Sequence, residues 1–307
     1  MTAPFLSLPD ADEVFAVALP DGATLPVYRL AGPPGAPALL FGHANGLAAG
    51  SYEPWLRRLA ERAQVFAFDA RGHGGARWPA GPLDEVFAVD RMADDLAEVT
   101  RVVTARAAVG RVACIGHSLG AAAALRLAAC GRAPAWSALV AFEPPIFPPP
   151  GAASRDDAVA KQIRLVAGTA KRRVRWPDPD ALHERLKKSP MFARFADEML
   201  TAHCRAILRP DPAGGYALCC PPEIETFIYR SHREADTWTR LGAIRGPVDL
   251  IGGDPTLADN DWVSGALPEI RAAITNARLT VLPGLGHMLI AEAPERCAAL
   301  LFDHLGF

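Results

Sequence analysis

The sequence predicts an α/β protein: a mostly parallel, doubly wound sheet with a mainly helical segment inserted after its sixth strand. Three observations carry this expectation. Short apolar runs at 38–41, 65–68, 111–115, 138–142, 247–251 and 279–282 recur with helical stretches between them. Runs of that length without alternation are typical of strands buried on both faces, as in parallel sheets. The alternation stops between about 154 and 240, where charged amphipathic helix patterns take over, and then resumes. Third, Gly116-His117-Ser118-Leu119-Gly120 joins a strand-like run to an Ala- and Leu-rich helical stretch.

Taken in order, 13–19 and 24–30 flank Pro20-Asp21-Gly22 and read as two strands with a tight turn. The run 38–41 ends at Gly42-His43-Ala44-Asn45-Gly46, and 65–68 ends at Asp69-Ala70-Arg71-Gly72-His73-Gly74. Between them 52–62 has helical periodicity; 89–108 does too, with Met92, Leu96, Val99 and Val103 on one face. The strand at 138–142 ends at Glu143-Pro144, and Pro148-Pro149-Pro150-Gly151 opens the insertion. Within it only 214–220 looks extended. A final helix is expected over 293–305. The division that follows is a core of 1–145 and 244–307 with a helical cap of 146–243. Every strand end of interest, at His43, Asp69, Ser118 and Glu143, falls at the carboxyl edge, where such sheets gather ligands.

Of the 307 residues half are hydrophobic and 21% charged, enough to bury a large core, and the formal net charge is −2. That balance supplies no basic field for nucleic acid or an anionic membrane. No stretch has the apolar length of a membrane span, and 1–19 lack the basic start of a secretory signal, so a cytoplasmic protein is expected. The six cysteines form no C-x-x-C pair, so reduced, mostly buried thiols are expected and no metal site. No cofactor is expected. A small-molecule substrate is the expected partner, and nothing in the composition opposes a homodimer.

A serine in G-x-S-x-G at a strand-to-helix turn is placed as a nucleophile, because flanking glycines permit close strand–helix approach and the turn exposes the hydroxyl. It needs a base, and the base needs an acid to fix its tautomer. His287, in Pro283-Gly284-Leu285-Gly286-His287 after the last strand, is the base the chain order supports; His43, His73 and His117 read as structural. The acid stays open. Glu143 closes an apolar strand and needs a partner there; Asp254 ends the strand at 247–253; Asp259 lies nearer the usual distance before the histidine.

These four motifs together resemble the α/β-hydrolase superfamily, its capped esterase and lipase-like branch, over essentially the full length. The resemblance implies the α/β-hydrolase fold and a Ser, His, acid triad with no cofactor. Certain haloalkane dehalogenases in this group carry the acid at the position of Glu143, although their chemistry needs an aspartate where Ser118 stands. It also implies an oxyanion hole from the N–H groups of Leu119 and Asn45. Relatives have glycine where Ala44 stands. The implied activity is a serine hydrolase cleaving a small to medium, largely apolar carboxylic ester or lactone through an acyl-enzyme. Carbon–carbon bond hydrolase, thioesterase and cofactor-free perhydrolase are alternatives on the same residues, and a catalytically weak ligand-binding protein is the alternative of another class. The basic runs Lys171-Arg172-Arg173-Val174-Arg175 and Lys187-Lys188 read as a solvated, salt-bridged face. An anionic substrate tail, such as that of a CoA ester, is the sharper reading. The aromatic and methionine residues Phe147, Trp176, Met191, Phe192, Phe195, Met199, Phe227, Tyr229 and Trp238 are expected to be shared between cap core and pocket wall.

Overall fold

The computed structural model describes residues 5–107, 109–257 and 262–306. Strands β1 (Glu13–Ala18) and β2 (Thr24–Leu30) form the expected antiparallel hairpin, with Gly22 at φ +89° and the Asp21 carboxylate accepting the Ala23 N–H. They lead into β3 (Ala38–Gly42), helix α1 (Glu53–Ala60) and β4 (Gln64–Phe68). A short α2 (Leu83–Val86) and the long α3 (Val89–Arg106) precede β5 (Val112–His117), α4 (Leu119–Ala129) and β6 (Leu139–Phe142). After the insertion come β10 (Val248–Gly252), α10 (Trp262–Ala273), β11 (Ala277–Val281), a turn α11 (Leu289–Glu292) and α12 (Pro294–Leu305).

The eight strands of the main sheet run in the order β1-β2-β4-β3-β5-β6-β10-β11. From β4 to β11 each neighbouring pair is parallel, and β2 meets β4 antiparallel. Every residue of β3, β4, β5, β6 and β10 is buried, which explains why they read as unbroken apolar runs. Their side chains alternate between two cores: Leu39, Phe41, Ile115, Val140 and Phe142 meet Trp55 and Leu59 of α1 and Leu301 of α12. Leu40, Cys114, Ala141 and Leu250 meet Leu96 and Val99 of α3, Leu125 of α4 and Leu267 of α10. Because these strands are parallel, the residues after β3, β4, β5, β6, β10 and β11 all emerge at one edge.

The insertion between β6 and β10 is mainly helical: α5 (Arg155–Thr169), α6 (Pro179–Leu186), α7 (Asp197–Ala206), α8 (Pro222–Glu234) and a short α9 (Thr237–Arg240). It also holds a small antiparallel sheet of β7 (Arg175–Trp176), β8 (Leu208–Pro210) and β9 (Tyr216–Leu218), of which only β9 lies in the extended stretch the sequence signals. At two and three residues, β7 and β8 are too short to display a period. Helix α7 packs on α1 and on the turn at 49–52, α8 on α2 and α3, and α5 on α8 and α10.

Helix α4 lies unusually close to the sheet. A Cβ on Gly120 would stand 2.2 Å from the Gly42 carbonyl oxygen, and one on Gly116 2.3 Å from the Ala121 nitrogen. Backbone cannot yield as a side chain can, so Gly120→Ala is expected to destabilise the protein by about 1–3 kcal/mol. Gly168, inside α5, has nothing within 4 Å of such a Cβ. Gly168→Ala should instead stabilise by up to about 1 kcal/mol, and urea unfolding of the two variants should move in opposite directions.

Candidate active site

Ser118 occupies the turn between β5 and α4 with φ +50° and ψ −109°, a conformation costly for a residue with a Cβ. It is held there by Ser118 N–H to the Phe142 carbonyl at 2.9 Å and Gly120 N–H to the His43 carbonyl at 3.1 Å. The first ties the turn to β6 and the second to the loop after β3. Its hydroxyl is thereby presented at the sheet edge rather than packed beneath the helix.

His287 lies in the loop after β11, and its Nε2 is 3.1 Å from Ser118 Oγ. Its Nδ1 is 3.0 Å from Glu143 Oε2. With the carboxylate accepting from Nδ1–H, Nε2 is left to accept from the serine hydroxyl. Glu143 follows β6 directly, also has positive φ (+49°), and is fully buried. Its Oε1 accepts from the Gly253 N–H and the Ser264 hydroxyl, both at 2.6 Å. Of the acids the sequence left open, the fold thus brings Glu143 to the histidine. Asp254 is turned elsewhere: its Oδ1 accepts from the Thr256 N–H and hydroxyl, and its Oδ2 from the Gly284 N–H at 2.9 Å. The Thr256 hydroxyl and these N–H groups hold its pKa below the usual carboxylate value, and the contact to Gly284 braces the start of the histidine loop. The position is displaced because Asp254 lies beyond the last ladder residue of β10. Asp259 lies outside the described residues.

Three buried histidines frame this relay without entering it. His117 Nε2 meets the His287 carbonyl at 2.9 Å, so its Nδ1 accepts from Tyr52 Oη at 2.6 Å, and Tyr52 Oη in turn accepts the Ala44 N–H. His43 Nδ1 donates to the Ala44 carbonyl and its Nε2 accepts the Ala70 N–H. His73 Nδ1 lies 3.0 Å from the Arg71 carbonyl, and its Nε2 lies 3.0 Å from both the Gly46 nitrogen, whose N–H it accepts, and Asn45 Oδ1. In the loop after β3 the N–H groups of Ala44 and Gly46 are therefore engaged. Those of Asn45 and of Leu119 have no acceptor among the described residues, as an oxyanion hole requires.

The sequence profile of the alpha/beta hydrolase family matches residues 39–300. The chain belongs to the alpha/beta hydrolase family. Its fold is also similar to that of solved hydrolases. E-2-(acetamidomethylene)succinate hydrolase superposes with a TM-score of 0.76 and 22% identity, over 96% of this chain and 99% of that one. A thioesterase domain from the curacin biosynthetic pathway gives 0.71 and 19%, over 95% and 99%. An esterase of M. tuberculosis gives 0.68 and 19%, over 100% and 94%.

In this alpha/beta hydrolase Ser118 and His287 open on a cavity of about 470 Å³ between the sheet edge and the insertion. Phe147, Met191, Phe192 and Tyr229 line it, whereas Trp176, Phe195 and Met199 belong to the buried core and Phe227 and Trp238 pack against it. Trp262, which the sequence did not single out, lines the cavity with its ring centroid 4.2 Å from that of Phe147. Of the basic run, Arg173, Lys171 and Arg175 are exposed, Arg173 over the Trp176 ring, but Arg172 turns into the cavity. Ser264, Gly253, His203 and Glu225 are the further site residues that sequence reasoning missed; none sits in a motif. No helix among the described residues is long and apolar enough to cross a membrane.

Burial pushes the pKa values of His73, His117 and His203 down to about 3 and that of His232 down to about 4. The same groups titrate near 6.5 once unfolded. Between those limits the unfolded chain binds more protons, so stability is complete above about pH 6.5 and is lost as pH falls. The urea midpoint should hold from pH 8 to 7 and then fall steadily to pH 4.5, each ring contributing up to about 1.4 kcal/mol per pH unit. A flat profile over that range would show that the rings charge without unfolding.

Proposed function

We propose that the protein is a serine hydrolase of small to medium, largely apolar carboxylic esters or lactones, acting through an acyl-enzyme. The observation that carries this reading is the continuous relay from Ser118 Oγ to His287 Nε2 at 3.1 Å and from His287 Nδ1 to Glu143 Oε2 at 3.0 Å, opening on a mainly apolar cavity. His287 takes the hydroxyl proton as Ser118 Oγ attacks the ester carbonyl, and the imidazolium formed is stabilised by the Glu143 carboxylate, whose other oxygen accepts from Gly253 and Ser264. The oxyanion is held by the Asn45 and Leu119 N–H groups. As the tetrahedral intermediate collapses, His287 returns the proton to the departing alkoxide. Water, deprotonated by the same imidazole, then cleaves the acyl-enzyme and regenerates Ser118. Residues 146–243 act as a cap over this chemistry and the remainder as the core, and the unpaired state of all six cysteines favours a reducing, cytoplasmic setting.

The test is hydrolysis of a chain-length series of p-nitrophenyl esters. Ser118→Ala should lower kcat/KM by at least about 10⁴-fold and Glu143→Gln by about a hundredfold or more, since the wrong histidine tautomer results. Asp254→Asn should cost less than about tenfold, as it weakens one loop hydrogen bond worth roughly 1 kcal/mol. Collapse of Asp254→Asn with Glu143→Gln unaffected would reverse the assignment of the acid. A wild type inert toward every ester of the series would overturn the ester reading in favour of carbon–carbon substrates or ligand binding.

A further inference from the structure

One end of the cavity is polar, and the hydrolytic relay makes no use of it. Arg172 reaches it from the segment after α5, with Nη1 2.5 Å from Glu225 Oε2 on α8. This pairing fixes one edge of the guanidinium. Its Nε and Nη2 have no acceptor among the described residues, and the side chain lines the cavity while retaining 24% exposure. A fixed, half-used guanidinium fork is the group best shaped for a planar carboxylate.

His203, on α7, supplies an independent observation. It is 1% exposed and lines the cavity, and its Nε2 has no partner among the described residues. Its Nδ1 lies 3.2 Å from Ser51 Oγ, which already accepts the Ala48 N–H at 3.1 Å. Ser51 is itself buried, so its hydroxyl hydrogen needs an acceptor, and Nδ1 provides it. The ring is kept neutral by burial and by the nearby charge of Arg172, so its one hydrogen then sits on Nε2. A buried donor of this kind is costly unless a ligand accepts from it. Phe192 stacks on the ring at 5.4 Å and 20°, which keeps the donor aimed.

The two donors flank the loop that carries Asn45. A Cβ on Gly46 would stand 3.3 Å from Arg172 Nη1, and Ser51, the partner of His203, lies in the turn at 49–52. Among the described residues lining the cavity, Lys161, Arg172 and Arg194 are cationic, paired with Asp157, Glu225 and Glu292 in turn. Gln162, which also lines the cavity, has a buried Oε1 with no partner among the described residues and suits a hydroxyl or amide N–H of the same ligand.

We propose that Arg172 and His203 form a carboxylate-binding subsite, so that the preferred substrates are monoesters of short dicarboxylic acids, seated with the free acid at this end and the ester carbonyl at Ser118. The proposal rests on Ser118 as the nucleophile for its orientation but not for the subsite itself. Charge-assisted hydrogen bonds to a fixed fork discriminate strongly against an uncharged isostere.

The experiment compares kcat/KM for mono-p-nitrophenyl glutarate with that for p-nitrophenyl pentanoate, its neutral counterpart. Wild type should favour the acid ester at least tenfold. Replacing Arg172 alone would strand Glu225, so the variant is the neutral pair Arg172→Gln with Glu225→Gln; it and, separately, His203→Phe should each reduce the preference at least tenfold. A wild type without the preference, or a preference untouched in both variants, would overturn the subsite. A second arm titrates glutarate into Ser118→Ala by calorimetry. Saturable binding that disappears when the neutral pair is added supports the subsite even if no ester is turned over. No binding overturns it while leaving ester hydrolysis standing.

Discussion

The fully buried carboxylate of Glu143 is the constraint on which the rest of the site depends. An ionised carboxylate with no solvent access is strongly disfavoured unless its oxygens are matched by donors. Those donors come from three elements 110 to 144 residues further along the chain: the Gly253 N–H after β10, the Ser264 hydroxyl on α10 and the His287 Nδ1 after β11. Satisfying one charge therefore sets how the last third of the fold closes on β6. The contrast with Asp69, equally buried at the end of β4, is informative. Asp69 accepts from the Ser7 and Tyr28 hydroxyls and from the Ala49 and Gly75 N–H groups. Backbone and hydroxyl donors fill both of its oxygens, which makes it a clasp. Glu143 gives one oxygen to such donors and presents the other to an imidazole that can change charge.

A similar division of labour runs through the histidines. His43 and His117 each have one nitrogen donating to a carbonyl and the other accepting from an N–H or hydroxyl, and His73 Nε2 lies 3.0 Å from both the Gly46 nitrogen and Asn45 Oδ1. Burial keeps all three neutral, so they behave as rigid spacers that cannot buffer the reaction. His117 joins three loops at once through Tyr52 Oη and the His287 carbonyl. The backbone of the base and the loop that carries Asn45 are thereby linked through one ring. His287 differs because its ring faces a carboxylate on one side and a hydroxyl on the other, with access to the cavity.

Much of this was legible in the sequence, for definite reasons. Strands buried on both faces are continuous apolar runs, and the glycines about Ser118 mark a close approach that only they allow, so the core, the serine and the histidine could be placed. The acid could not, because position relative to a strand end does not say which carboxylate meets an imidazole several loops away. Glu143 and Asp254 both end strands; only the packing of α10 and the 282–288 loop separates them. The polar wall was still less legible. Arg172 sits in a run of surface cations and differs from Arg173 only in the direction its side chain takes, while His203 lies on an amphipathic helix where a buried histidine carries no signal. Residues whose role depends on tertiary placement, without a local backbone requirement, leave no motif.

The connection between insertion and core follows from the same loop. The Asn45 N–H has no acceptor among the described residues, while its side-chain Nδ2 donates to the Glu225 carbonyl at 2.9 Å, and a Cβ on Gly46 would stand 2.5 Å from Glu225 Oε1. Asn45, the oxyanion donor proposed above, is thus held by α8 of the insertion as well as by the core. Its geometry is complete only with α8 in place. The insertion enters immediately after Glu143 and returns to β10, whose neighbour Gly253 binds that same carboxylate, so both ends of the insertion are tied at Glu143 and its middle at the loop after β3. A displacement of the insertion large enough to open the cavity would strain both at once.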